Sequence, residues 1–152
     1  MLAGGVAHVG VVVDDLEAAM ADLPVVGAWS SVLEWDTTVR RAHGSIERRP
    51  VRFVTAAGAP AHLKLIESAP GSVWAPTGGV QQLHHLTYWV ADLGAATAQL
   101  HAAGYRTEAD GLEEDGSVRF RYLVSPLGVR IELGLLANKA AFDSWASGGD
   151  HA

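Results

Sequence analysis

An internal duplication constrains this chain more than any other feature: the stretch from His8 to Gly27 recurs as the stretch from His85 to Gly104. A repeat of this kind means that one folding unit is used twice. His8 then meets His85, Val13 meets Val90, Asp15 meets Asp92 and Leu16 meets Leu93. Further on, Ala18, Ala19, Ala21, Leu23 and Gly27 meet Ala95, Ala96, Ala98, Leu100 and Gly104. Each copy opens with an apolar run of strand length, then sets an Asp before apolar residues at helical spacing, the pattern of a strand, a capped turn and a helix. Leu16, Ala19, Met20 and Leu23 form the apolar stripe of the first helix, and Leu93, Ala96, Thr97 and Leu100 repeat it. Gly27 and Gly104 stand where each helix should end, because glycine accepts a positive φ without a Cβ clash.

The far ends of the copies also correspond. Arg52 and Phe53 match Arg121 and Tyr122, while Leu63, Lys64 and Leu65 match Ile131, Glu132 and Leu133. Apolar residues alternate in both closing strands, so Lys64 and Glu132 face the side opposite to their leucine neighbours. Each copy therefore reads as strand, helix and three strands, with Gly58 to Pro60 and Pro126 to Gly128 as turns before the last strand. One domain is expected for residues 1–152: module one about 5–69, a linker about 70–82, module two about 83–136, and a C-terminal helix about 138–147 covering an edge.

Composition narrows the function classes. A net charge of −6 argues against a broad nucleic-acid surface, which needs clustered Lys and Arg. The local run of Arg40, Arg41, Arg48, Arg49 and Arg52 reads as solvated strand or loop charge, or as a rim for an anionic small molecule, and no role is assigned to it. The chain has no cysteine, so a metal would have to be held by His and carboxylates. The apolar stretch from Val6 to Val13 lacks a basic leader and ends in Asp14 and Asp15, which predicts a core strand rather than a secretory signal. No apolar run is long enough to span a bilayer, and a cytoplasmic setting is expected.

Strand alternation puts His8 on one face with Gly10 and Val12, and His85 with Thr87 and Trp89, while Val9, Val11, Val13, Leu86, Tyr88 and Val90 face the helices. On the same rule His84 points away from the site. A lone strand histidine is more often a satisfied core residue than a ligand. Two at equivalent places in duplicated strands, with Glu132 on the polar face of a closing strand, are harder to assign to chance. Imidazoles and a carboxylate suit a divalent ion, and three ligands leave positions open for water or substrate. His62 shares the parity of Lys64 and is a second-choice ligand or a substrate contact, whereas Glu67 has the wrong parity unless the strand bulges. Trp35, Trp74 and Trp89 fit either a pocket wall or ordinary core.

The segments AHVGVVVDDL, HHLTYWVADL and SPLGVRIELGL together resemble the vicinal oxygen chelate superfamily, the glyoxalase, bleomycin resistance and extradiol dioxygenase group, over almost the whole chain. The nearest likeness is to its methylmalonyl-CoA epimerase-like and glyoxalase-like branch. The resemblance implies an α+β fold: two tandem βαβββ modules forming a cupped, mostly antiparallel sheet with helices outside. It carries metal ligation over to His8, His85 and Glu132, with a divalent ion of Zn, Ni, Co, Mn or Fe. The family's fourth ligand corner falls on Lys64, which cannot ligate as an ammonium. A nearby dication would disfavour its proton and suit it to act as a base, or the side chain leans away to solvent. Tyr122 takes the place near which extradiol enzymes use a tyrosine, though core packing is the more common role of such a residue. The implied function is a metal-dependent isomerase or lyase acting on an enolisable carbonyl small molecule, as a homodimer with Trp89 and His62 near the substrate. An Fe(II)-dependent extradiol-type dioxygenase and a non-enzymatic small-molecule binding or resistance protein are the alternatives.

Overall fold

Both copies of the duplicated segment fold alike. In the first, β1 (His8–Val13) leads to α1 (Leu16–Asp22), then β2 (Leu33–Arg41), β3 (Ile46–Thr55) and β4 (His62–Glu67). In the second, β5 (Gln82–Val90) leads to α2 (Leu93–Ala102), then β6 (Arg106–Leu112), β7 (Val118–Val124) and β8 (Arg130–Leu135). The chain continues into α3 (Lys139–Ala146). This computed structural model describes residues 4–58, 60–76 and 82–148, so part of the expected linker and of the turn before β4 lies outside the described residues.

The helix boundaries follow from local chemistry. The Asp15 carboxylate accepts the Ala18 N–H at 2.7 Å, and Asp92 does the same for Ala95 at 2.9 Å, satisfying donors that a helix start leaves open. α1 stops at Asp22 because Pro24 cannot donate to continue it, and a single 3-10 turn (Pro24–Val26) follows. Gly27 and Gly104 turn the chain away at φ 78° and 86°.

The strands form a closed barrel in the order β1-β4-β3-β2-β6-β7-β8-β5. β1 with β4 and β5 with β8 are parallel, and the other neighbours are antiparallel. The cupped, mostly antiparallel sheet expected from the sequence is here a closed barrel with two parallel pairs. Closure comes at β2 and β6, where Thr38 to Arg41 pair with Leu112 to Ala109. Buried Asp110 pins that seam by accepting Arg40 at 2.7 Å and Arg121 at 2.6 Å. A charged carboxylate in such a place must be paired, and two guanidiniums accomplish this.

Alternation divides the core as the sequence suggests. Val13, Leu16, Ala19, Val54 and Leu65 pack α1 on the outside of the barrel, and Val90, Ala96, Leu123, Ile131 and Leu133 pack α2. Each fully buried leucine contributes about 1.5–3 kcal/mol relative to an exposed one. Val12, Val39, Val51, Ile66, Trp74 and Tyr122 fill the inside. α3 does not cover a sheet edge, since closure leaves none. It inserts Phe142 and the fully buried Trp145 against Leu33, Phe53 and Trp89, with the Trp145 indole donating to the Ser31 carbonyl at 2.9 Å. Among the described residues no helix is long and apolar enough to cross a membrane.

Candidate metal centre

Strand register assembles the site. β1 pairs with β5 so that His8 lies opposite Thr87 and Gly10 opposite His85, and β5 pairs with β8 so that Thr87 lies opposite Glu132. His8, Thr87 and Glu132 thus share one rung of the barrel wall and point inward, with His85 on the next. Gly10 makes room for it: a Cβ there would stand 2.2 Å from His85 Cε1.

The three residues expected as ligands come together, all buried. His85 Nε2 is 2.7 Å from Glu132 Oε2, His8 Nε2 is 3.6 Å from the same oxygen, and the two imidazole nitrogens are 3.5 Å apart. The Thr87 hydroxyl donates to Glu132 Oε2 at 3.0 Å and lies 2.7 Å from His8 Nε2. His8 Nδ1 is buried with no hydrogen-bond partner among the described residues. Burial pushes the His8 imidazole down to about 4, outweighing the opposing pull of Glu132, and pushes His85 down as well. Burial alone would raise the Glu132 carboxyl, but the His85 and His8 rings reverse this and hold it well below the usual carboxylate range.

The remaining predicted residues fall into two groups. Lys64, Tyr122 and Trp89 line the same cavity of about 780 Å³ as His8 and Glu132, together with Trp35 and Trp74. Lys64 is half-buried with its ammonium nitrogen 4.7 Å from the centre of the Phe53 ring, and burial lowers its pKa. Among the described residues that line this cavity, Arg48 is paired with Asp36 and Arg119 with Glu113, whereas Lys64 lies over the Phe53 ring and feels the Glu132 charge, which pulls its pKa up against burial. Tyr122 is fully inside, tilted against His85 with ring centres 5.1 Å apart, and its oxygen accepts the Trp74 indole N–H at 3.2 Å. Burial raises its phenol well above the usual value, so it stays protonated.

The second group stands apart from the cavity. His62 is on the inner face beside His8, but Phe142 lies against both rings, and His62 opens instead to a separate pocket beside α2 and α3. Glu67 faces outward, bonded to Arg52 and to the Leu16 N–H.

His84 requires a correction, since parity sends it away from the site and the structure turns it inward. The register of β1 against β5 shifts between Gly10 and Val11, so β5 bulges at His84 and His85. An extra residue in one strand lets two consecutive side chains take the same face. His84 Nδ1 lies 2.8 Å from His85 Nδ1, and His84 Nε2 lies 2.9 Å from the Val73 carbonyl. The sequence offers no signal for this beyond the adjacent histidines, because a bulge depends on how the partner strand pairs. Phe142, stacked on His8 with ring centres 5.0 Å apart, was equally hidden, since nothing in α3 states where on the barrel the helix lands.

The sequence matches the glyoxalase/bleomycin resistance protein/dioxygenase superfamily over residues 7–122. A paired βαβββ barrel carrying two histidines and a glutamate on its inner wall is therefore a member of that superfamily, and this chain belongs to it. No curated protein matches the sequence. Among solved structures, methylmalonyl-CoA epimerase from Mycobacterium tuberculosis is similar at 24% identity, covering 93% of this chain and 97% of that one, with a TM-score of 0.56. A variant of the Streptomyces coelicolor methylmalonyl-CoA epimerase, solved with 2-nitronate-propionyl-CoA, is similar at 19% identity, covering 89% of this chain and 98% of that one, also at 0.56. These likenesses support the fold.

Proposed function

We propose that this chain is a metal-dependent isomerase or lyase of the glyoxalase and epimerase type, folded as one domain and acting on a small molecule with an enolisable carbonyl. One observation carries the reading: two imidazole nitrogens and a carboxylate oxygen, all buried, converge at 2.7 to 3.6 Å from one another. Ligand atoms held at about 2.0–2.2 Å from one tetrahedral ion stand about 3.3–3.6 Å apart. The two pairs that involve His8 already have that spacing, and the His85 to Glu132 pair needs to open by less than about 1 Å. His8, His85 and Glu132 would hold a divalent ion, and positions toward the cavity would remain free.

Such an ion supplies Lewis-acid polarisation of a carbonyl oxygen when bound. The protein supplies the rest. The Lys64 amine, depressed by burial, takes a proton from the carbon beside the carbonyl and returns it on the other face or at a neighbouring atom. Tyr122, held protonated with its oxygen fixed by Trp74, donates a hydrogen bond to the substrate. Phe53, Trp89 and Phe142 wall the cavity with apolar surface that keeps water from the reacting carbon.

The test is exchange of the α-proton for deuterium in simple 2-oxo compounds and acyl thioesters, with protein loaded in turn with zinc, nickel, cobalt, manganese and iron(II). Exchange in the wild type that disappears in His85→Ala, with circular dichroism unchanged, is expected. Equal exchange in His85→Ala excludes the reading. The lack of a fourth ligand favours a second possibility, since two histidines and one carboxylate suit iron(II) and oxygen. Oxygen uptake by iron-loaded protein with catechols, unmatched by any proton exchange, would select it. A homodimer is proposed as well, to be checked by light scattering in solution. Its partner would meet helix or loop surface, since every strand of the barrel is paired on both sides within the chain.

A further inference from the structure

We propose that His84 is a positioning residue for the metal centre: its ring dictates which nitrogen of His85 carries hydrogen, and so turns the His85 lone pair into the cavity. This rests on reading His8, His85 and Glu132 as metal ligands. It starts from a carbonyl. The Val73 oxygen can only accept, so the His84 Nε2 that lies 2.9 Å from it carries a hydrogen. A neutral imidazole has one N–H, which leaves His84 Nδ1 bare. Glu132 can also only accept, so two neutral rings hold two hydrogens for three contacts; with the shortfall at the Glu132 end, where a cation would fill it, His85 Nδ1, 2.8 Å from the bare His84 nitrogen, is the donor. With its hydrogen on Nδ1, His85 presents a lone pair at Nε2, the atom 2.7 Å from Glu132 and 3.5 Å from His8.

Both ends of this relay are fixed. The His84 carbonyl accepts Arg130 at 3.1 Å, and Arg130 is itself held by both oxygens of Glu108, so the bulge that turns the two rings inward is tied down. Val73 sits in a loop closed by its own bonds: the Ser72 hydroxyl donates to the Ala69 carbonyl at 2.7 Å and accepts the Trp74 N–H at 2.9 Å. Burial, which pushes the His84 imidazole down to about 3, agrees with a neutral ring. A bare nitrogen facing a carboxylate oxygen sets two acceptors against each other, and a positive particle between them relieves the repulsion. A histidine ligand generally gains affinity and orientation from a partner on its far nitrogen; here that partner is a second histidine.

Two measurements test the relay. In chelator-stripped protein labelled with ¹⁵N-histidine, long-range proton–nitrogen correlation near neutral pH should show His84 bare at Nδ1 and protonated at Nε2, with His85 protonated at Nδ1. In competition against a chromophoric chelator, His84→Leu should lose about 10–100-fold in Zn²⁺ affinity. His84→Asn, which keeps an acceptor near the same place, should stay within about threefold of wild type. A bare His85 Nδ1 overturns the relay even if Zn²⁺ binds, and so does a folded Leu variant with wild-type affinity. If His84→Leu does not fold, the nitrogen pattern and the Asn variant decide: an Asn variant that loses about 10-fold or more overturns the relay. A wild-type protein with the expected nitrogen pattern that takes up no Zn²⁺ overturns the metal reading and leaves the relay standing.

Discussion

The first module closes its inner wall on Lys64 where the second closes on Glu132, and it has Ala7 where the second has His84. His85 is consequently bonded through its far nitrogen and faces a carboxylate. His8 has no partner at Nδ1 among the described residues, and its Nε2 depends on the Thr87 hydroxyl, which also serves Glu132 although it has one hydrogen to give. Duplication placed both imidazoles on the barrel wall by register, but the neighbours that decide what an imidazole can do were not kept in both copies. The second half holds an imidazole–carboxylate pair and its support; the first offers one imidazole, without a partner at Nδ1 among the described residues, and a cation.

The largest effect should come from making the second half like the first. Glu132→Lys replaces the anion among the three converging groups with a cation, and at about 4 Å a unit charge is worth about 4 kcal/mol at an effective dielectric of 20. Zn²⁺ binding should fall by at least about 1,000-fold in a competition assay, since each 1.4 kcal/mol is tenfold. Binding that survives would move the metal away from this carboxylate. The reverse change, Lys64→Glu, gives the first half the corner it lacks and removes a cation from the cavity. Zn²⁺ affinity should rise by about 10–100-fold, and proton exchange should fall if Lys64 is the base. An affinity that stays level would mean Lys64 stands too far from the ion to matter.

The same contrast separates what was legible in the sequence from what was not. Positions such as His8, His85 and Glu132 follow from alternation and from the repeat, because a strand has only two faces and a barrel turns one of them inward. The capping aspartates and Gly104 are equally local and appear where the sequence puts them, whereas Gly27 closes a 3-10 turn that follows α1 rather than α1 itself. His84 escaped because a bulge is a property of two strands paired together. Closure of the sheet escaped for a similar reason: it rests on β2 meeting β6 across the modules, and the Asp110 cluster that pins this seam joins residues far apart in the chain. The lysine at the fourth corner was visible, but its aromatic neighbour, Phe53, is known only once β3 and β4 are paired.

A smaller effect tests the support of His85 from the opposite strand. Gly10→Ala would set a methyl group 2.2 Å from the His85 ring, which the barrel tolerates only by moving the imidazole. Overpacking of this sort costs about 1–3 kcal/mol, read as a lower urea midpoint. Zn²⁺ affinity should fall with it. Unchanged stability would place the His85 ring elsewhere than over Gly10.

The smallest effect distinguishes the two halves by pH in the metal-free protein. His8 is depressed to about 4 and His84 to about 3, against an ordinary imidazole value of 6.5. Below that value the unfolded chain takes up protons that the folded one refuses. The stability carried by each ring is therefore complete above about pH 6.5 and is lost as pH falls toward its folded value, at up to about 1.4 kcal/mol per pH unit for each group. Between about pH 4.5 and 6 both rings contribute, as does His85, which burial also pushes down, while paired carboxylates such as Asp110, whose own pKa is lowered, titrate further down. Urea unfolding across that window should lose about one proton's worth of slope in His8→Asn, and about one in His84→Asn. Near pH 4 the two should part, since His84 in the second half goes on resisting protonation after His8 in the first has yielded. A slope that His8→Asn leaves unchanged would mean the His8 ring is hydrated, and the first half would then lack even its one buried ligand.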